Sequence, residues 1–137
     1  MSTTPAPINV RLRGQDTAGR LAVVENVIAA GFGGPPLHIH PSFDETFYVL
    51  EGELTFRIRD EIVSRPAGSL VFASGSVPHT FANQSGRDAR VLILCTPAGF
   101  ERYFERLAAE LAGQEPSPEA LGPLPEVQVV GPSIDNK

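Results

Sequence analysis

The chain has 137 residues, of which 42% are hydrophobic and 20% are charged, and its formal net charge is −5. This length suits one domain with one core, and the composition is that of a soluble globular protein. Its one lysine is Lys137 and no cluster of basic residues occurs, which argues against nucleic acid as a partner, because phosphate binding needs a basic face.

Signals for membrane insertion, secretion and disulfide formation are missing from the sequence. No apolar run approaches the ~18 residues that a membrane span requires, which predicts no membrane partner. Residues 1–7 lack the charged start and apolar stretch of a secretory signal. The single cysteine, Cys95, excludes an intrachain disulfide, and its apolar neighbours predict a buried side chain. Together these features predict a cytoplasmic location.

The first thirty residues are predicted to hold two strands after a terminus, residues 1–9, that is expected to fray. The strands are predicted at 21–24 and 27–30, where apolar residues occupy both parities. A strand covered on both faces has this pattern, as in a barrel or a dimer interface. Residues 31–36, rich in Gly and Pro, are predicted to form a loop.

Short strands then follow in quick succession, separated by turns. The predicted ranges are 37–40, 46–50, 54–58, 61–64, 69–73, 79–83 and 90–96. Residues 54–58 alternate apolar and polar side chains, which is typical of a half-buried strand. Strands this short at this spacing, in a chain with 13 prolines and 13 glycines, indicate an all-β barrel or sandwich.

The hydrophobic period changes after residue 99. Apolar side chains then recur at helical spacing, at Phe100, Phe104, Leu107, Ala108 and Leu111. This predicts one amphipathic helix over 100–112, ended by Gly113, whose apolar stripe packs on the barrel or on a second subunit. The tail, residues 113–137, is predicted to hold a short helix from residue 117 and a strand at 126–130 before it frays.

The three histidines of the chain are His38, His40 and His79. His38 and His40 are two residues apart in a predicted strand, so their side chains point to the same face. Glu45 follows after a break, and His79 comes from a segment far along the chain. Ordinary polar residues at a strand end are the alternative, but three imidazoles and a carboxylate form a plausible site for a divalent transition metal.

The segment around the first two histidines resembles the first motif of the cupin superfamily. That motif is a glycine, five residues, His-x-His, three or four residues, Glu, six residues and a glycine. Here His38, His40, Glu45 and Gly52 match it. Phe32 stands where the first glycine is expected. The match is specific, because four positions agree in spacing together.

The segment around the third histidine resembles the second cupin motif, which runs Gly, five residues, Pro-x-Gly, two residues, His, three residues and Asn. Gly68, His79 and Asn83 match in spacing. Ser74 stands where the proline is expected and Ser76 where the glycine is expected. These two departures concern a turn and leave the candidate metal ligands in place.

The resemblance extends over about residues 20–97. Residues 45–52 and 96–101 look most like small single-domain bacterial cupins of the quercetin-dioxygenase-like group. It implies one cupin domain over 1–137, with the core at about 20–97. The implied fold is an antiparallel jelly-roll β-barrel with the C-terminal helix outside it. It also implies a homodimer.

The resemblance implies a role for each candidate ligand. His38, His40, Glu45 and His79 would hold one divalent transition metal ion, namely Fe, Ni, Mn, Cu, Co or Zn, with two positions open. Open positions are typical of a catalytic metal and not of a structural one.

Four aromatic residues are candidates for a substrate pocket: Phe47, Phe56, Phe72 and Phe81. Phe47 shares the parity of Glu45 along its strand, and Phe81 shares the parity of His79, so each is predicted to face the metal. Barrel core is the alternative for all four, because small barrels fill their interiors with side chains.

The leading functional hypothesis is a metal-dependent dioxygenase that acts on a small flavonol, enol or phenol. In that mechanism the metal binds the substrate oxygen and O₂, and Glu45 acts as general base. Two alternatives stay open: a non-redox isomerase, cyclase or lyase at the same site, and a module that binds a metal or small ligand without turnover. Fold alone does not choose among them.

Overall fold

The computed structural model describes residues 7–135 of the chain. Its ten strands are β1 (Ile8–Leu12), β2 (Ala22–Ile28), β3 (His38–Ile39), β4 (Asp44–Glu51), β5 (Glu53–Ile58), β6 (Glu61–Pro66), β7 (Leu70–Ala73), β8 (His79–Ala82), β9 (Ala89–Thr96) and β10 (Gln128–Val129). One α-helix, α1 (Glu101–Leu111), follows β9. Two short 3₁₀-helices lie at Gly14–Asp16 and Glu119–Leu121.

The strands form two antiparallel five-stranded sheets. The first has the order β1-β2-β9-β4-β7, and the second has the order β10-β3-β8-β5-β6. Consecutive strands alternate between sheets over much of the chain, which is the jelly-roll pattern. The predicted all-β antiparallel jelly-roll barrel with a C-terminal helix is therefore confirmed.

Strand alternation places one face of β4 and β9 in the core. Phe47 pairs with Ile93, and Val49 pairs with Val91. All four side chains are almost fully buried. Because successive side chains point to opposite faces, Glu45 also points inward, in the same column as Phe47. The periodicity that builds the core thus also brings a carboxylate into the barrel.

The region before the histidines differs from the prediction. The two strands predicted at 21–24 and 27–30 are one strand, β2, because Glu25 and Asn26 stay in register with both neighbouring strands. Residues 8–9 belong to β1 and are not frayed, since they pair with β2. The rest of the predicted frayed terminus, residues 1–6, lies outside the described residues.

The C-terminal part of the chain closes over β1, β2 and β3. Helix α1 is within one residue of its predicted bounds and packs against β1 and β2, with Phe104 buried. The short helix predicted from residue 117 is the 3₁₀-helix, and the strand predicted at 126–130 is the two-residue β10, which pairs with β3. Residues 130–135, which follow β10, are not frayed, because Leu37 N–H donates to Pro132 O at 3.1 Å and Ile134 is buried. Residues 136–137 of the predicted frayed tail lie outside the described residues.

None of the helices among residues 7–135 has the length and apolarity needed to cross a bilayer.

Candidate metal centre

The three histidines and Glu45 converge at one point inside the barrel. His38 on β3 lies opposite His79 on β8 in an antiparallel pair. His40 follows β3, and Glu45 reaches the same point from β4 in the other sheet. One ligand-type atom from each of the four residues lies within 4.8 Å of the other three. The convergence predicted from spacing is therefore present in the fold.

The shortest contacts in this cluster are between ring nitrogens and the carboxylate. His40 Nε2 lies 2.5 Å from Glu45 Oε1 and 2.8 Å from His79 Nε2. His79 Nε2 lies 3.3 Å from the same carboxylate oxygen. His40, Glu45 and His79 are at most 5% exposed, so water does not separate these atoms.

The second nitrogen of each histidine ring faces a backbone carbonyl. His38 Nδ1 donates to Pro36 O at 2.7 Å. His40 Nδ1 donates to Phe43 O at 2.8 Å, and His79 Nδ1 donates to Val77 O at 2.8 Å. A carbonyl can only accept, so these contacts put the ring proton on Nδ1 and leave the Nε2 lone pair free.

This arrangement tests whether the residues fit a metal ion. Three Nε2 lone pairs and a carboxylate share one small buried space, and neutral imidazoles with protonated Nδ1 supply no donor to it. A cation bound between these acceptors would offset their mutual repulsion. Nitrogen and carboxylate ligands suit divalent transition metals, and backbone partners on the opposite ring nitrogens are the usual support of histidine ligands. The donor set fits the predicted metal.

Charge in the cluster is set by the balance of burial and contact. Burial alone raises the pKa of Glu45, but the contacts with His40 and His79 outweigh it and lower that pKa to about 2. Burial lowers the pKa of His40, yet the contact with the Glu45 carboxylate outweighs it and the net shift is upward. Burial lowers the pKa of His38. Glu45 is therefore anionic at neutral pH, and His40 is the histidine at which a proton competes with a metal ion.

A glycine that the motif comparison does not assign holds the loop beside His40. A Cβ on Gly75 would lie 2.0 Å from Phe43 O and 2.2 Å from His40 O. The Gly75 backbone also accepts from His40 N–H at 2.8 Å and donates to Asp44 Oδ1 at 2.8 Å. The cupin motif places a glycine at the position of Ser76, and here the glycine that the backbone requires lies one residue earlier, at Gly75.

Beside the cluster lies a cavity of about 800 Å³. His38, Glu45 and His79 form one part of its wall, and most of the remaining wall is apolar. A site of this size that is mostly apolar, with a few polar groups at one end, is typical of a pocket for a small organic molecule.

The four candidate pocket residues separate into three groups. Phe47 and Phe81 line the cavity. Phe56 does not line it: its ring is fully buried and packs on Phe47 and Phe81, at centroid distances of 5.2 and 6.3 Å. The prediction for Phe72 is wrong, because this side chain is 58% exposed on the outer face of β7, whose inward residues are Val71 and Ala73.

Part of the cavity wall is absent from the sequence-based set. Helix α1 contributes Tyr103, Phe104 and Leu107, the residue before it contributes Phe100, and β2 contributes Asn26. The apolar stripe at helical spacing contains Phe100, Phe104 and Leu107 but not Tyr103, and the stripe alone does not show which surface it packs against. Phe100 also stacks on Phe43 at 4.9 Å, and Phe43 stacks on His40 at 3.9 Å, so the residue before α1 lines the cavity and reaches His40 through Phe43.

Cys95 confirms the prediction of a buried side chain. It is 0% exposed, and burial raises the pKa of its thiol. A thiol kept protonated in this way is not an activated nucleophile.

Comparison with known proteins identifies a family and related folds. The sequence model of the family described as "Cupin domain" matches residues 25–95. No curated protein matches the chain. An uncharacterized conserved protein with a double-stranded β-helix domain from Klebsiella pneumoniae is 18% identical, with a TM-score of 0.56 over 72% of this chain and 82% of that chain.

Two further solved structures share the fold. A predicted oxalate decarboxylase from Thermotoga maritima is 21% identical, with a TM-score of 0.61 over 66% of this chain and 78% of that chain. The polyketide cyclase RemF from Streptomyces resistomycificus is 24% identical, with a TM-score of 0.57 over 65% of this chain and 63% of that chain. At these identities the likeness shows a common fold and no common activity.

Proposed function

The chain belongs to the cupin domain family, and on that premise we propose that it is a metal-dependent enzyme acting on a small organic molecule. The observation that carries this proposal is the set of three Nε2 lone pairs and the Glu45 carboxylate. Of these residues, His38, Glu45 and His79 line a mostly apolar cavity. A structural metal would need no cavity. A site meant only for small ions would need no apolar wall.

The proposed ligands are His38, His40, Glu45 and His79. A bound Fe, Ni, Mn, Cu, Co or Zn ion would supply Lewis acidity, and a redox-active one would also supply a route for electrons between substrate and O₂. The chain itself does the rest. Backbone carbonyls fix the histidine rings, and Phe47 keeps water away from the end of the cavity beside Glu45.

Glu45 is also the proposed general base. Among the described residues it is the one carboxylate in the cavity wall, so it is placed to accept the proton of a substrate hydroxyl. A pKa of about 2 keeps it ionised but makes it a weak base. It therefore serves a hydroxyl whose own acidity is already raised, as in a phenol or an enol.

The finer proposal is a dioxygenase of the quercetin-dioxygenase-like group, which inserts both atoms of O₂ into a flavonol, enol or phenol. Support comes from the aromatic wall: Phe32 and Phe47 lie on either side of Phe81, with ring centroids 5.9 and 5.6 Å from its ring. Flat aromatic substrates pack well on such rings.

A second candidate is a non-redox cyclase, isomerase or lyase at the same site. The observation in its favour is the pairing of Glu45 with an apolar wall, which allows proton transfer away from water without any use of O₂. Oxygen uptake separates the two candidates. Turnover of a phenol or enol with one O₂ consumed per substrate supports the dioxygenase, and equal turnover under nitrogen supports the second candidate.

The metal site is tested by elemental analysis of the purified protein. We expect about one transition metal ion per chain, at least about hundredfold weaker binding in Glu45→Gln and His79→Ala, and normal binding in Glu53→Gln, which removes an exposed carboxylate outside the site. Full metal content in the first two variants would refute the ligand assignment. Stoichiometric metal without turnover of any phenol or enol would favour a binding module.

We also propose that the protein works as a homodimer in the cytoplasm. The two sequence features that could form a dimer interface, the apolar strand and the helix stripe, have a partner within the chain, because α1 packs against β1 and β2. A different surface supports the dimer: Ile62, Leu70 and Phe72 are all more than half exposed on β6 and β7. Sedimentation equilibrium that shows a monomer at micromolar concentration would contradict it.

A further inference from the structure

One polar side chain in the cavity wall has no visible use in the fold. Asn26 lies on β2 at an inward position and is 6% exposed. Its Oδ1 is buried and has no hydrogen-bond partner among residues 7–135. Leaving such a group unpaired is costly, so buried amides normally have partners. Asn26 also lines the cavity that opens at the metal cluster.

Asn26 lies far from the metal cluster within that cavity. In the first sheet Glu45 pairs with Cys95, whereas Asn26 pairs with Val91 four residues along β9. Four residues and two strand spacings put the Cα atoms of Asn26 and Glu45 about 16 Å apart. The two side chains point into the same space from these positions. A molecule of about two rings therefore spans the distance between them.

The wall between the two ends carries no positive charge. Among the described residues that line the cavity there is no Lys or Arg, and the aromatic rings come from both sides, Phe32, Phe47 and Phe81 from the barrel and Phe100, Tyr103 and Phe104 from α1 and the residue before it. A phosphate or carboxylate at the Asn26 end would be desolvated without a partner, at high cost. An uncharged hydroxyl has a much smaller desolvation cost and can donate a hydrogen bond there.

We propose that Asn26 is a specificity-determining residue that binds a hydroxyl group at the distal end of an uncharged aromatic substrate. The hydroxyl donates to Asn26 Oδ1 and so satisfies the unpaired acceptor. The aromatic body packs between the barrel and α1, and the opposite end of the substrate reaches the metal cluster. Only the placement of that opposite end rests on the proposed function.

Asn83 provides the matched comparison, because it is a second fully buried asparagine with a clear structural use. Its Nδ2 donates to Ile28 O at 3.0 Å and to Arg87 O at 2.8 Å, and its Oδ1 accepts from Ser85. The fold therefore satisfies one buried asparagine completely and leaves the oxygen of the other unpaired.

The first test measures binding of two matched pairs of probes to the full chain. Each pair differs by one hydroxyl: 4,4′-dihydroxybiphenyl against 4-hydroxybiphenyl, and 2,6-dihydroxynaphthalene against 2-naphthol. We expect wild type to prefer the dihydroxy member of at least one pair about tenfold, the value of one buried hydrogen bond. Asn26→Leu should abolish the preference and bind the monohydroxy member within about twofold of wild type. An unchanged preference in Asn26→Leu, or no binding of any probe to wild type, overturns the proposal.

The second test measures the Tm of thermal unfolding, which falls on substitution if Asn26 has a structural role. Removing an unpaired buried amide should leave the Tm of Asn26→Leu unchanged or raised, while Asn83→Leu should lower it by about 5 °C or more. A fall in Asn26→Leu equal to that in Asn83→Leu means that Asn26 serves the fold, and this overturns the proposal.

Binding is measured on both the metal-free and the Zn²⁺-loaded protein. A preference that depends on Asn26 in the metal-free protein stands even if no metal is ever found. Normal metal content with no effect of Asn26→Leu refutes the Asn26 proposal and leaves the metal site intact. The two proposals therefore fail by different results.

Discussion

The metal cluster and the apolar cavity share a wall, but the chain builds them in different ways. Each histidine of the cluster is fixed by a carbonyl within three residues of it, as in the contact of His38 with Pro36 and of His79 with Val77. The cavity wall is assembled from β2, β4, β8, α1 and the segment after it, which meet only in the folded chain. Neighbouring residues therefore set the orientation of each histidine ring, whereas contacts between distant segments set the shape of the cavity.

The largest expected effect comes from a substitution at Gly75, which should change the histidine cluster and leave the cavity almost unchanged. Gly75→Ala places a methyl group against two backbone oxygens beside His40, so the loop must move. We expect metal affinity to fall about hundredfold and stability to fall by about 3 kcal/mol, while binding of 2-naphthol in the cavity of the metal-free protein changes little. Metal titration, urea unfolding and probe binding measure the three quantities.

Gly86→Ala is the control for that substitution. A Cβ at Gly86 has no atom within 4 Å, so neither metal affinity nor stability should change. If Gly75→Ala behaves like Gly86→Ala, the geometry around His40 is less constrained than the close contacts imply.

The next effect concerns the cavity wall and the outer surface. Phe47→Ala removes a ring that is 2% exposed and packs on two other rings, so we expect stability to fall by about 3–4 kcal/mol. Phe72→Ala removes a ring that is 58% exposed and should cost less than about 1 kcal/mol. Urea unfolding of both variants at one protein concentration measures the difference. Equal losses would place Phe72 in the barrel core after all.

The smallest effect comes from the outer face of β2, next to Asn26. Glu25 accepts from Arg11 at 2.7 Å and from Arg90 at 3.2 Å, and these contacts, led by the hydrogen bond from Arg11, lower its pKa. Glu25→Gln should lower stability at pH 7 by about 1–2 kcal/mol without affecting metal or probe binding.

The pH dependence of that loss follows from the direction of the shift. A carboxyl whose folded pKa is depressed contributes its full stabilisation above the unfolded pKa, here the ordinary value of 4.5, and loses it as the pH falls through the folded pKa. The difference between wild type and Glu25→Gln should therefore be constant above about pH 5.5 and shrink below pH 4.5. A difference that persists unchanged at pH 3 would mean that the ion pairs do not contribute.

Sequence reasoning predicted the convergence of the three histidines and Glu45 because the motif spacings carry it. His38 and His40 share a face by parity, and the spacing to Glu45 and His79 is a property of the chain alone. Most strands were also predicted, since alternation is read over five or six residues. Strand β1 was missed, because an edge strand depends on its pairing with β2 and not on its own pattern.

The cavity was predicted only in part because parity does not identify the inner face of a uniformly apolar strand. Residues 70–73 are apolar at every position, so nothing in the sequence turns Phe72 outward and Val71 inward. Asn26 gave no signal either: an asparagine in an apolar strand predicts a break, whereas the fold keeps β2 continuous through it. Only the three-dimensional structure shows that its amide faces the cavity.

The pairing of β10 with β3 joins the candidate metal site to a segment far along the chain. Val129 pairs with His38, 91 positions earlier in the chain, and Val130 N–H donates to Leu37 O at 2.8 Å. During synthesis, β3, which carries His38, therefore lacks its outer neighbour until β10 has been made. Contacts of such high sequence separation also form slowly. The strand that presents His38 is therefore expected to gain its complete set of neighbours late in folding.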